Sequence, residues 1–492
     1  MTDRVAAWFS GDYWLTRLVF QRGMGIVYFI AFLCALNQFR PLLGEHGLLP
    51  APAFMARISF RDSPSLFFLA PKDWAFSAAA WLGLALSVLV IAGIADRYSS
   101  WLNAVIWAAM WLLYISFVNV GQIFYGFGWE AILLEAGFFA IFLGARHVTT
   151  PIAVIYLLRW LEFRVMFGAG LIKMRGDPCW RDLTCLNYHY ETQPMPNPLS
   201  WYFHMAPEWT HRAGVAFNHF SELLVPFFYF LPQPIATLGG VLTIVFQLMI
   251  FLSGNLSWLN FMTMVLAIPA IDGRYLAAIL PIRPEGTLAP LSIPMKVAVA
   301  ACTLLIVWLS IEPVRNMLSR NQIMNTSYNP YHLGGTYGAF GSISRERYEI
   351  VVSGTSDAVI TPATQWKEYE FRGKPNDPMR MPPQIAPYHL RLDWLMWFAA
   401  MSSYREHPWF INFVAKLLEN DQPVLGLLKS NPFPNGPPKF VRAELWRYHF
   451  ALPEIHRKTG AWWVRTEMGP WFPPVSLETP GFHQILVDQG WL

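Results

Sequence analysis

A succession of apolar runs, each close to the length that crosses a bilayer, restricts this chain more than any other feature. A spanning helix needs roughly 20 mostly apolar residues to cross the hydrocarbon layer. Runs of about that length, bounded by charges or proline, occupy 23–38, 74–95, 101–120, 129–144 and 152–171, then 216–231, 234–252, 256–271 and 294–311. The pattern predicts a polytopic α-helical membrane protein with about nine transmembrane helices. Composition agrees: of 492 residues, 54% are hydrophobic and only 14% charged, richer in apolar residues and poorer in charge than a soluble domain. The net charge of +4 is spread along the chain without a basic tract, so nucleic acid is not expected as a partner; membrane lipids are.

Lysine and arginine in short connections stay on the cytoplasmic side. With Arg4, Arg17 and Arg22 cytoplasmic, Arg97, Arg146, Arg274 and Arg283 fall on that same face, while the 121–128 turn opposite carries a single acid-free, base-free run. The longer polar loops 40–73 and 173–212 then face outward, and nine spans put the carboxyl-terminal region there too. The amino terminus begins polar and lacks a small-residue cleavage pattern, so the first span is expected to remain as an anchor.

Beyond Glu312 the apolar runs shorten and charge rises. The expected division is a transmembrane bundle over 1–312 and an extramembrane α+β domain over 313–492. Strand-like alternation marks RYEIVVSGTS, QWKEYEFRG and VRAELWRYHFALP, and helical spacing marks DWLMWFAAMSSY and WFINFVAKLLEND.

Charged residues inside the runs point to a site. In LLRWLEFRVMFGAGLIKMRGD, Arg159, Glu162, Arg164 and Lys173 lie in or beside one predicted span. A charge at mid-membrane costs about 2.5–3.5 kcal/mol on insertion scales, so such groups face a bundle interior or a wet cavity. Arg159 and Glu162 sit three apart and can pair on one helix face. Lys173 has no acidic neighbour at helical spacing before it; a lysine desolvated at a pocket mouth can act as a base, and one at a helix end can snorkel to the interface. Asp177, four residues on, is a partner for it if the helix continues. In FNHFSELLVPF, Asn218, His219 and Glu222 lie together, and with Glu130, Glu135, Asn255 and Asn260 these polar groups are expected to converge inside the bundle; interhelical hydrogen bonding is the alternative. The loop GLIKMRGDPCWRDLTCLNYHYETQPMPNP, carrying Arg175, Asp177, Trp180, Arg181, Asp182, His189, Tyr190 and Glu191, is expected to roof that cavity.

Of four cysteines, Cys34 and Cys302 lie in apolar surroundings. Cys179 and Cys185 share the outward polar loop, where an oxidising compartment permits a disulfide; two free thiols are the other reading. His189, His204 and His211 with Glu191 match no ligand spacing, so no metal is assigned. No nucleotide, hydrolase or metalloprotease motif is present in a usable context, and no cofactor is identified.

The stretch GLIKMRGDPCWRDLTCLNYHYETQPMPNP, together with FNHFSELLVPFF, SGNLSWLNFMT, NPYHLGGTYGAFGSISRERYE, WKEYEFRGKPNDP and APYHLRLDWLMWFAA, resembles the lipase maturation factor family over most of the chain. The resemblance implies a membrane-embedded factor that assists folding, assembly or maturation of secreted lipases or other exported proteins, with a client lipase as partner. It places the protein in the bacterial inner membrane if bacterial, or in the endoplasmic reticulum membrane if eukaryotic, with the carboxyl-terminal domain on the periplasmic or lumenal side. The ending DQGWL shows no retention signal, which points to a bacterial member. A shorter segment, Ala169-Gly170-Leu171-Ile172-Lys173 followed by Trp180, is similar to the part of vitamin K-dependent carboxylase-like proteins that carries a catalytic lysine. That similarity implies a rival: a membrane enzyme with Lys173 as base, beside His219 and Glu222, acting on a lipid-like or quinone-like substrate.

Overall fold

The computed structural model describes residues 11–491; the expectation resting on Arg4 and the last residue of DQGWL lie outside them. The chain is mostly helical to residue 318, and a four-stranded sheet lies beyond it. The bundle helices are α1 (Trp14–Leu43), α2 (Asp73–Ile91), α3 (Ser100–Val120), α4 (Gly128–Ala140) and α5 (Ile152–Arg175). Then follow α6 (Glu208–His219, continued by a π-helical turn over Phe220–Leu224 and by Val225–Phe228), α7 (Ile235–Ser253), α8 (Leu259–Ala267) and α9 (Ile293–Leu309). Among the described residues, five helices are long and apolar enough to cross a membrane: Trp14–Leu43, Asp73–Ile91, Ser100–Val120, Ile235–Ser253 and Ile293–Leu318. The last runs past Glu312, beyond the division expected there from composition.

The other expected spans also fold as helices, but each is short, broken or charged. Helix α5 is 24 residues long yet contains Arg159, Glu162, Arg164 and Lys173, all at most 4% exposed. Such charges are tolerated because protein, not lipid, surrounds them. Helix α8 ends where Pro269 tightens the chain into a short 3₁₀ turn.

Helices α1, α2 and α3 pack through aromatic rings. Phe39 meets Phe76 at 4.8 Å and Phe117 at 5.0 Å, while Phe67 stands edge-on to Phe76 at 4.7 Å, the tilted arrangements that ring quadrupoles favour.

Beyond the bundle, β1 (Arg347–Thr355), β2 (Lys367–Glu368), β3 (Phe440–Phe450) and β4 (Trp463–Val475) form an antiparallel sheet in the order β2-β1-β3-β4. Ile350 pairs with Leu445 across the β1–β3 ladder. Helices α10 (Arg391–Ala399) and α11 (Pro408–Leu418) cover it, confirming the helical readings of DWLMWFAAMSSY and WFINFVAKLLEND. QWKEYEFRG contributes only its Lys367–Glu368 pair to the ladder; β4, which the sequence reading did not mark, carries prolines at 470, 473 and 474, admissible because it is an edge strand.

The carboxyl-terminal region shares its hydrophobic core with the bundle. Asn412 of α11 donates to the carbonyls of Gly47 and Leu48 in the 40–73 loop. Asn255, before α8, donates to the Pro196 and Pro383 carbonyls and accepts from the Ile385 and Ala386 amides.

Candidate functional site

A cavity of about 560 Å³ opens where α5, α6, α7 and α8 meet the chain segments 337–342 and 394–398. Its walls are mainly apolar, and Lys173, His189, Asn218, Glu222, Gln247 and Asn260 are among the polar residues that line it.

Lys173 lies in the last turn of α5. Its Nζ donates to Glu222 Oε1 at 2.5 Å and to Asn218 Oδ1 at 3.0 Å, and sits 5.0 Å from the centre of the Trp180 ring. Asn218 Nδ2 completes the triangle by donating to Glu222 Oε2 at 2.7 Å. Asn218 and Glu222 are four residues apart, a spacing that puts two side chains on one helix face, and Glu222 lies in the π-helical turn over Phe220–Leu224. His219 does not join Glu222. Its Nε2 meets the Trp180 carbonyl at 2.9 Å, and it is not part of the cavity wall. The expected trio of Lys173, His219 and Glu222 is thus two of three, with Asn218 in the third place.

The roof follows directly. Helix α5 ends at Gly176, so Asp177 leaves the helical path and does not pair with Lys173. Instead it caps the short helix Pro178–Arg181 and receives both guanidinium nitrogens of Arg345, at 2.7 and 2.9 Å. The Arg345 hydrogen bonds hold the Asp177 carboxyl down to about 2, against the opposing effect of burial. Cys179 and Cys185 form a disulfide, packed on Val215 and Ile343. Trp180 Nε1 donates to the Phe340 carbonyl at 2.8 Å. His189 stands edge-on to Phe340 at 4.9 Å, and burial together with Lys173 pushes its imidazole down to about 4.

The remaining expected site residues distribute as follows. Arg159 and Glu162 do not pair: Arg159 donates to the Pro269 and Tyr229 carbonyls and to Tyr13, and the Glu162 oxygens make no hydrogen bond among the described residues. Arg164 pairs with Glu135 and donates to the Gly335 carbonyl at 2.9 Å; Glu130 likewise turns to Arg391, so neither acid reaches the cavity polar cluster. Arg175 donates to Gln322 and the Met317 carbonyl, Arg181 to the Met174 carbonyl, and Asp182 ends the short helix. Tyr190 stacks on Phe203 and lines the cavity. Glu191 accepts from the Phe450 amide and contacts His449 and His204, while His211 contacts Asn187 and the Phe203 carbonyl; with His189 turned to Phe340, the histidines do not converge. Asn255 joins loop to loop, as described, and Asn260 donates to Gln247 Oε1 at 2.7 Å.

Sequence reasoning missed the groups that the carboxyl-terminal region inserts. Arg391 donates to Glu130 at 2.8 Å and lies 3.5 Å over the Tyr125 ring. Tyr337 donates to Glu135 Oε2 at 2.9 Å. A Cβ on Gly168 of α5 would stand 2.5 Å from the Tyr337 carbonyl oxygen, so glycine there admits the inserted strand of chain. The available signal was the number of bundle carboxylates without a nearby base, which require partners from elsewhere in the sequence.

A bundle of membrane-crossing helices, closed at one end by segments of a sheet-bearing carboxyl-terminal region, defines a polytopic membrane protein with an internal cavity. Residues 15–278 match the lipase maturation factor transmembrane domain and residues 333–473 the lipase maturation factor C-terminal domain. The chain belongs to the lipase maturation factor family. Similar proteins include lipase maturation factor 1 of Bos taurus, 44% identical over 95% of this chain and 90% of the relative, and lipase maturation factor 1 of Homo sapiens, 44% identical over 98% and 91%. Lipase maturation factor 2 of Homo sapiens is 28% identical over 97% and 85%. No solved structure matches.

Proposed function

We propose that this chain is a membrane-embedded factor that assists the folding, assembly or maturation of secreted lipases or other exported proteins. The observation that carries the reading is likeness over nearly the whole chain to proteins named lipase maturation factor 1, covering bundle and carboxyl-terminal region alike. In this reading α4, α5, α6 and α8 add to the five long apolar helices to make nine crossings, and the region beyond the bundle works on the periplasmic or lumenal side. A client-handling factor needs exposed apolar surface there; Tyr202, 55% exposed, with its ring 6.5 Å from that of Trp462, and Leu452, 60% exposed, supply candidates. Lys173 is held by Glu222 and Asn218, and this reading assigns it no base chemistry in maturation.

The test is secreted lipase activity per amount of lipase protein in a strain lacking the gene, complemented with the unaltered chain or with Lys173→Met at equal level. Lowered specific activity on deletion, restored by both versions, is expected. Rescue by the unaltered chain alone would bring the lysine into the function. No change on deletion would overturn the lipase role.

A further inference from the structure

The cavity is electrically balanced. The Lys173 ammonium and the Glu222 carboxylate face each other at 2.5 Å, and the remaining polar face of the ammonium is turned toward the Trp180 ring, a favourable place for a cation. His189 is kept neutral by its surroundings. A charged ligand head would bring an unpaired charge into a poorly solvated space, at a cost of several kcal/mol, whereas an uncharged head would not.

The hydrogen-bonding groups at the wall ask for more than an acceptor. Neither ring nitrogen of His189 makes a hydrogen bond among the described residues, and a neutral imidazole offers one donor and one acceptor. Asn260, 1% exposed, has an Oδ1 without a hydrogen-bond partner, and leaving such a buried acceptor unmet costs about 1–3 kcal/mol. A hydroxyl both donates and accepts. A carbonyl alone only accepts, and would leave both acceptors unmet.

Most of the remaining wall is hydrocarbon and ring, Ile132, Val165, Ile250, Leu256 and Trp394 among it, with Ser253, Thr263, Asn325 and Ser342 as further polar residues. The volume of about 560 Å³ lies inside the range of roughly 300–1,000 Å³ typical of small-molecule sites. It suits one chain with a compact head better than a two-chain phospholipid. Met249 belongs to the wall and is also 45% exposed on α7, one of the helices apolar enough to face lipid, which gives the cavity a side toward the bilayer.

We propose that the cavity binds an uncharged, single-chain amphiphile with a hydroxyl-bearing head, admitted laterally from the membrane past Met249. The head lies against Lys173, His189 and Asn260, and the chain lies along the Val165, Ile250 and Trp394 side.

The test uses the full chain purified in detergent and a photoactivatable, alkyne-tagged monoacylglycerol, beside the matching fatty acid at alkaline pH and the matching phosphatidylcholine. Adducts are expected on Met249 and its cavity neighbours, suppressed by untagged monoacylglycerol, with labelling by the other two probes lower by about tenfold, equivalent to 1.4 kcal/mol. Ala169→Phe, which fills the cavity, should lower monoacylglycerol labelling by a similar factor while the thermal transition and elution volume are retained. Glu222→Gln leaves Lys173 unbalanced and should shift preference toward the fatty acid. Adducts outside the cavity, equal labelling by all three probes, or labelling undiminished in a folded Ala169→Phe chain would overturn the proposal. Should that variant not fold, the adduct map and competition in the unaltered chain decide. The lipase assay is separate, so either reading can fail alone.

Discussion

Arg391 and Glu130, 261 residues apart in sequence, meet at 2.8 Å with both side chains buried. Their contact fastens the carboxyl-terminal region onto the bundle. The guanidinium also donates to the Phe124 carbonyl at 2.6 Å, and the Tyr114 hydroxyl donates to Glu130. Breaking one side of such a pair strands the other charge, which costs more than removing both. Arg391→Met is expected to destabilise the protein by about 3–5 kcal/mol, and Arg391→Met with Glu130→Gln by clearly less. Thermal unfolding in detergent, run as a double-mutant cycle, checks this; an additive cycle would contradict a coupled pair.

The roof should respond to acid through Asp177. Its carboxyl is held at about 2, below the ordinary 3.8, chiefly by Arg345. A depressed carboxyl contributes stability that is fully present above its unfolded value and is lost as pH falls through its folded value. Protection of 177–185 against hydrogen exchange is therefore expected to be constant above about pH 5 and to decline toward pH 2. Asp177→Asn should be less protected at neutral pH and should show a flatter profile; an unchanged slope would assign the acid response elsewhere.

The Cys179–Cys185 bond closes a loop with a sequence separation of 6. A loop this short gains only about 2 kcal/mol from restricting the unfolded chain. Protein from its native membrane should carry no alkylatable thiol at these positions without reduction, as read by mass spectrometry of the 176–190 region. The Cys179→Ser, Cys185→Ser chain is expected to fold with a lowered thermal transition. Finding both thiols modified before reduction would remove the cross-link.

Gly168→Val should be more damaging than its place in a helix suggests. The new Cβ would stand 2.5 Å from the Tyr337 carbonyl oxygen, displacing the segment whose hydroxyl reaches Glu135. Valine is tolerated in helices at a cost below 1 kcal/mol, so a loss of several kcal/mol, or faster proteolysis after residue 318, would locate the effect in the contact. Unchanged proteolysis would contradict it.

Much of this arrangement was legible from local signals. Period and length marked the apolar helices, and the density of charge in Lys173–Glu191 marked the roof, because both are properties of contiguous sequence. The Lys173–Glu222 pair was within reach once both were read as buried charges. What escaped depended on geometry that a sequence does not display. Asn218, four residues before Glu222, pairs with it, while His219 turns to the Trp180 carbonyl. The end of α5 at Gly176 sent Asp177 to Arg345 instead of Lys173. Arg159 and Glu162 had the right spacing to pair, but backbone carbonyls exposed at Tyr229 and Pro269 claimed the arginine. Arg391 and Tyr337 were read as part of a separate outer domain because composition changes near residue 312, although their partners lie in the bundle.

The insertion of late sequence into the bundle sets an order of events during synthesis. Glu130 and Glu135 enter the membrane region while Tyr337 and Arg391, their partners, are still to be translated. Until those residues arrive, Glu130 lacks the Arg391 guanidinium and Glu135 the Tyr337 hydroxyl, although Tyr114 and Arg164 are already in place beside them. A chain cut short before Arg391 would therefore leave Glu130 buried without the charge that balances it.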